Sequence, residues 1–513
     1  MKNNRIRIIL AATLALLLCI AAILPISAMQ PLSPDRGVDV YSIFPEGRRS
    51  ELRLEHLALT YEIPKMPRES YSDVDEFLAY ESTLRMEYTL QNPTDREQTV
   101  KLLYATGDLP EYAKGIMQQY SNAQHAAATT IEVGGERVTP KLRCAWTPVS
   151  QQYRTGNLYD PRDHAENLRS TYVHHALLTH DLPVTIYTYV PFSNQDEDGH
   201  FYYDMVATFA CDASRTMVFV GDYSDVSGTK SQVTIGQRVW EDAEVRLYVL
   251  GEAVGSIEWM LYDDDRNRVD GGAELSAVET TTFGELAMQY YDAESGIAEH
   301  DWYNAVVDMM EYNRMEGTGI VGDKHQRISF DVTDNLQCYL AYDVTLGAGE
   351  STVNTVTTPV YPDALQYYSP MAGTFRYHFH GAYDWESVGK YTVRINTKYK
   401  FAPDEENSLT SDYYEKDFSG YTLPDRFTPS GAYTFTLCKW KYPVMPIDLF
   451  FYGLVFVLVS VPLTAIFLTV KLLVGTISVI AFLVKCRKQK KSRERHARLE
   501  QKEKEEQDDQ QSE

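Results

Sequence analysis

Four groups of side chains in this 513-residue sequence have the type and spacing to do chemistry. In Asn194, Asp196, Asp198 and Gly199, alternating oxygen ligands precede a glycine where a calcium loop turns. The twelfth place of such a loop needs a bidentate Glu but holds Met205, with Asp204 one place early, so an acidic hairpin tip is the plainer expectation. Calcium at Asp196 and Asp198 is the one cofactor the sequence leaves open. His378 and His380 stand two apart, which puts both on one face of a strand, but no acidic or Cys partner follows at a ligand spacing. His174, His175, His180 and Asp181 lack the four-residue step that aligns ligands on a helix, and read as surface or loop residues. Asp263, Asp264 and Asp265, beside Arg266 and Asn267, read as a turn, although a hydrolase could use paired carboxylates. No GxSxG, HExxH, P-loop or dinucleotide glycine pattern appears, so no residue is assigned a catalytic role and no enzyme activity is expected.

The chain ends carry a stronger signal than any of these groups. Lys2, Arg5 and Arg7 precede the apolar run Ile8 to Leu24 and the small residues around Ala28, the order of a secretory signal spanning residues 1–28. Residues 449–484 carry one charge, Lys471, and read as a transmembrane segment. A straight helix of that length would run about 54 Å against a hydrocarbon core of about 30 Å. Two spans would also need a turn, so one span with an interfacial or tilted remainder fits better. Lys485, Arg487, Lys488, Lys490, Lys491 and Arg493 follow at once, and such clusters stay in the cytoplasm. The expected topology is therefore a single-pass cell-membrane protein, with its bulk outside and residues 485–513 as a charged, solvated tail. The cluster is a stop-transfer signal first, and a contact for anionic lipid second.

Composition narrows the partners. Residues 29–448 carry 34 basic and 64 acidic side chains, about −30, which argues against nucleic acid. The expected partners are the bilayer through residues 449–484 and either a surface ligand or an envelope protein. Tyr, at 37 residues, favours strands and is also common at binding surfaces. Cys144, Cys211, Cys338 and Cys438 allow three disulfide pairings, and their spacing chooses none.

The elements that must position these groups are mainly strands. Leu84 to Ala105 reads as a hairpin around Asn92, Pro93, Thr94 and Asp95, and Thr130 to Arg143 as a second one turning at Gly134 and Gly135. Asp160 and Pro161 start a helix with Ala165, Leu168, Tyr172 and Ala176 on one face. Strands at 184–192, 200–210, 217–220, 233–235 and 245–250 have the spacing of a sandwich. A helical insert follows, with Thr282 and Glu285 as a capping box and a second helix from about 299 to 315. Gly317, Gly319 and Gly322 mark the expected boundary between residues 29–316 and 317–445. Strands then resume at 328–332, 338–346, 352–359, 373–380 and 390–396. The expectation is a mainly β protein of two β-sandwich-like domains with a helical insert and a C-terminal transmembrane helix. The segment Glu87 to Asp95, together with Tyr377 to Trp385 and Val388 to Ile395, resembles uncharacterised exported β-sandwich proteins of Gram-positive bacteria with a C-terminal anchor. That resemblance implies fold and anchorage but no activity.

Overall fold

The computed structural model describes residues 37–510 except 67–74, 76–80, 108–109, 111–125, 150–158, 174–176, 194–201, 221–223, 241–242, 264, 315–320, 322–328, 366–371, 380–383, 402–414, 417–419, 424–431 and 439–445. It comprises a β-rich unit within residues 34–443 and a separate unit containing the helix Pro446–Gln510.

The β unit holds two sandwiches, one nested inside the other. The outer sandwich draws its strands from residues 40–146 and 336–438. Its large sheet runs in the order Glu415–Lys416, Gly420–Leu423, Val388–Thr397, Arg53–Ile63, Thr83–Gln91, Ser351–Pro359, Thr130–Val133, Glu136–Val138. All neighbours are antiparallel except Val388–Thr397 against Arg53–Ile63, which is parallel. Two smaller sheets cover its inner face. One is built on Ala372–His378 and Ala432–Cys438, the other on Gln98–Ala105, Leu336–Leu346 and Lys141–Trp146. Alternation along Arg53–Ile63 and Thr83–Gln91 buries Leu57, Leu59, Tyr61, Leu84, Met86 and Tyr88 between the layers.

The second sandwich is a continuous insertion. Strands between Pro183 and Thr282 form a four-stranded and a five-stranded sheet, with Val218, Val233, Ile235, Leu247 and Trp259 between them. Thr216–Val220 is buried on both faces because the far side of its sheet packs on the helices Phe283–Ala287 and Glu299–Asn313. The expected capping box starts the first helix: Thr282 Oγ1 accepts from Glu285 N–H, and the Glu285 carboxylate accepts from Thr282 N–H. The second helix docks on Lys141–Trp146 through Asp301, which is 1% exposed and accepts from Arg143 Nε at 2.8 Å, Arg143 Nη2 at 3.0 Å and Cys144 N–H at 3.1 Å.

The break expected at 316/317 thus does not separate tandem domains. Leu336–Leu346 pairs with both Gln98–Ala105 and Lys141–Trp146, and Ser351–Pro359 with both Thr83–Gln91 and Thr130–Val133. Late strands complete sheets that early strands begin, a long-range pairing that local glycine punctuation does not encode. The hairpin expected over 84–105 also has to be corrected. Thr83–Gln91 and Gln98–Ala105 belong to different sheets, so Asn92 to Glu97 turns a sandwich corner rather than a hairpin. The turn after Leu346 makes the same crossing beside it. Buried Asn92 joins the two, its Nδ2 donating to the carbonyls of Arg96, Leu346 and Gly347 at 2.7, 3.1 and 2.9 Å. Replacing Asn92 with alanine is expected to cost about 2 kcal/mol by leaving buried carbonyls unmet, as urea unfolding would register; a loss under about 0.5 kcal/mol would contradict that role.

Other expectations divide. Gly134 and Gly135, at φ 61° and 84°, make the two-residue turn of a real hairpin. The helix expected after Pro161 is a single turn, Arg162–Ala165. The strand expected at 328–332 is absent from the described residues 329–332, where Phe330 packs on Phe219 and Tyr248 instead of joining a sheet. The apolar C-terminal segment is one continuous helix with Pro462 inside it, and the tail stays helical to Gln510.

Candidate functional site

A polar cleft lies where two loops of the outer sandwich meet. The loop after Phe44–Pro45 turns through Gly47 and Arg48 at φ 83° and 58°, a left-handed conformation that a side-chain-bearing residue adopts only when held. Arg48 is held by its N–H to the Pro45 carbonyl at 3.0 Å and by ion pairs to Asp163 at 2.6 Å and Glu166 at 3.2 Å. The facing loop, Asp384 to Ser387, is laced to it by Ser50 N–H to the Asp384 carbonyl, Glu386 N–H to the Leu52 carbonyl and Leu54 N–H to the Ser387 carbonyl, each 3.0 Å. These bonds extend the parallel ladder of Val388–Thr397 on Arg53–Ile63, so a rigid sheet positions both rims.

The cleft between them measures about 530 Å³, is open to solvent, and is lined by Arg48, Arg49, Ser50, Glu51, Asp384, Trp385 and Glu386. Beneath it Arg162 lies between Asp160 at 2.6 Å and Asp384 at 3.1 Å. Burial opposes the Arg162 charge, but the two carboxylates outweigh it and raise its pKa. Burial raises the Asp384 carboxyl above its ordinary value despite Arg162. Arg49 is exposed and has no ion pair among the described residues. The Trp385 indole is 6% exposed, and its Nε1 finds no hydrogen-bond partner among them. The cleft thus brings together paired charges, an exposed cation with no ion pair among the described residues and a buried indole.

Those residues singled out from sequence that are described lie elsewhere. Asp196 and Asp198 fall outside the described residues, as does His380. Met205, at the twelfth loop place, is fully buried in the insertion's core, so the strand Tyr202–Ala210 uses that position for packing. His378 is fully buried, with Nε2 2.7 Å from Asp39 Oδ2 and its ring stacked on Tyr41 at 4.7 Å. Arg376 pairs with Asp363 in the same network, and burial raises the Asp363 carboxyl. This network ties Val40–Tyr41 to Ala372–His378 and belongs to the core. His174 and His175 are outside the described residues, whereas His180 stacks on Tyr303 at 5.9 Å. Asp263 caps the turn expected of it, accepting from Asn267 N–H at 2.7 Å. No group of three or more potential metal ligands occurs among the described residues.

The C-terminal helix contains a stretch from Pro462 long and apolar enough to cross a membrane. Its polar side chains are satisfied within it: Thr464, Thr469, Thr476 and Ser478 each donate to the carbonyl four residues back at 2.7–2.8 Å. Lys471 is exposed, with Nζ 5.0 Å from the Phe467 ring one turn earlier, following the N-terminal lean of helical side chains. Lys485, Arg487, Lys488, Lys490, Lys491 and Arg493 are exposed on the same helix. Replacing Lys471 with leucine is expected to favour membrane insertion by about 3 kcal/mol in a translocon assay; an unchanged inserted fraction, starting from a segment poised at half insertion, would contradict it.

Sequence reading missed the cleft because its two rims, residues 48–51 and 384–386, are far apart in the chain and carry ordinary loop residues. The one local signal was Gly47 followed by two arginines.

No family model and no curated protein matches the chain. Among solved structures it is similar to a crystal structure from Legionella pneumophila named a "putative nutrient binding protein", with a TM-score of 0.30 and 7% identity, covering 79% of this chain and 72% of that one. A likeness at that level carries no argument about function.

Proposed function

We propose that this chain is a membrane-anchored binding protein that displays its β unit outside the cytoplasm and grips a polar ligand in the Arg48–Asp384 cleft. The observation that carries the reading is the C-terminal helix, whose apolar stretch runs straight into six basic residues within nine positions. Residues 449–484 could fit a core of about 30 Å only by tilting about 56°, beyond the range of about 0–40° seen for spans. The stretch next to the basic cluster therefore spans, and the part before Pro462 leaves the core. Lys471 then lies about 21 Å above Lys485 and within reach of the outer headgroups, toward which its side chain leans.

Protease treatment of intact cells is expected to digest the β unit and spare a tag placed after Glu513. Protection of the β unit would refute the topology. For the cleft, the full chain in lipid nanodiscs is screened on arrays of glycans and charged peptides. Binding is expected to weaken at least about tenfold in Arg49→Glu, which removes the free cation. Retained binding of every hit by that variant would move the ligand site elsewhere.

Lys471 favours a second reading, an accessory subunit of an envelope membrane complex, since a charge within a span commonly meets a partner. Crosslinking from position 471 that recovers lipid alone would end it.

A further inference from the structure

Cys144 and Cys338 stand directly opposite each other on the antiparallel strands Lys141–Trp146 and Leu336–Leu346. Their rung carries no backbone hydrogen bond between them. Cys144 N–H donates to the Asp301 carboxylate at 3.1 Å, and the Cys338 carbonyl accepts from Thr106 N–H at 3.0 Å on the strand's other side. In a rung of that kind the Cα atoms approach to about 4.5 Å and both side chains leave the same face, inside the window of about 4.4–6.8 Å that a disulfide needs. Both thiols are buried in one apolar cluster. Cys211 lies in the insertion's core and Cys438 in a separate cluster with Ala372, while Cys486 is exposed on the C-terminal helix.

We propose that Cys144 and Cys338 close into a disulfide when the chain folds in an oxidising medium, an inference that rests on the extracytoplasmic reading only for where this happens. A thiolate of the pair attacks an oxidised thiol carrier such as glutathione disulfide and expels one reduced thiol. The second cysteine then displaces the other, so two protons and two electrons leave the pair and one carrier disulfide becomes two thiols. Because the folded pair is sealed from solvent, closure accompanies folding. The bridge spans the base of the insertion: residues 145–337, including the whole nested sandwich and both helices, become a closed loop.

The full chain is refolded in detergent with a glutathione redox mixture, alkylated, and digested without reductant. The peptides bearing Cys144 and Cys338 are expected to appear linked and two hydrogens lighter than their thiol forms, with Cys211, Cys438 and Cys486 alkylated. Reduction is expected to lower Tm by about 5 °C and to leave the Cys144→Ala, Cys338→Ala double variant unmoved. Alkylation of both Cys144 and Cys338 after oxidative refolding, or linkage of either to Cys211 or Cys438, overturns the bridge. The same peptides are then read from cells expressing the chain. A bridge that forms on refolding but is reduced in cells supports the pairing and refutes the extracytoplasmic location.

Discussion

Replacing Asp301 with alanine is expected to destabilise the β unit by about 3–5 kcal/mol, the cost of stripping one partner from a buried ion pair. The carboxylate is 1% exposed and receives both Arg143 nitrogens and the Cys144 N–H, with His300 Nε2 3.3 Å away. Its removal leaves the Arg143 guanidinium without its main counter-charge, the partner that raises its pKa most, and orphans a buried backbone donor. The loss should appear as a lower urea midpoint and as faster hydrogen exchange in Glu299–Asn313, which docks through this residue. Arg143→Met combined with Asp301→Leu is expected to recover much of the loss, because apolar groups of similar size remove the desolvation cost along with the attraction. A destabilisation below about 1 kcal/mol in Asp301→Ala would show that water reaches the site and that the helix is held by its apolar face alone.

Phe435→Ala is expected to cost about 3–5 kcal/mol for a different reason, a cavity. The ring is fully buried in the outer sandwich, stacked on Phe375 at 5.0 Å and set edge-on to Tyr61 at 5.0 Å, with Phe401 at 6.2 Å. These four residues come from four strands in two sheets, so the void would open where the layers meet. Phe435→Leu should cost clearly less, since it keeps much of the volume. Equal losses in the two variants, measured by chemical denaturation, would mean that ring geometry rather than volume holds the layers together.

These two sites show which parts of the molecule a linear reading can reach. Strands with uninterrupted alternation, such as Thr83–Gln91 and Tyr202–Ala210, were legible because a half-buried strand must alternate. The central strand Arg53–Ile63 went unread although Leu57, Leu59, Tyr61 and Ile63 alternate without a break; the register shift between Leu54 and His56 displaces only its start. Gly271–Thr282 hid because half of it, Glu274, Leu275, Ser276, Val278, Glu279 and Thr280, is exposed, so no apolar period remains. The capping box and the Gly134–Gly135 turn could be read directly, each being complete within a few residues.

Among the polar groups, Asp263 kept its expected role because a turn is local. His378 changed its meaning. Its spacing to His380 suggested a ligand on a strand face, but the face is an interior one, and Asp39, 339 residues away, supplies the partner.

The sequence by itself determined the mainly β class, the apolar C-terminal stretch and the basic cluster that ends that stretch, because composition, period and charge order are properties of neighbouring residues. Only the tertiary structure decided that the sandwiches are nested rather than tandem, that Asp384 meets Arg162 beneath a cleft, that Asp301 anchors a helix and that Cys144 faces Cys338. Each of these depends on pairing between strands or loops far apart in the chain, and that register is chosen by the burial of whole sheet faces.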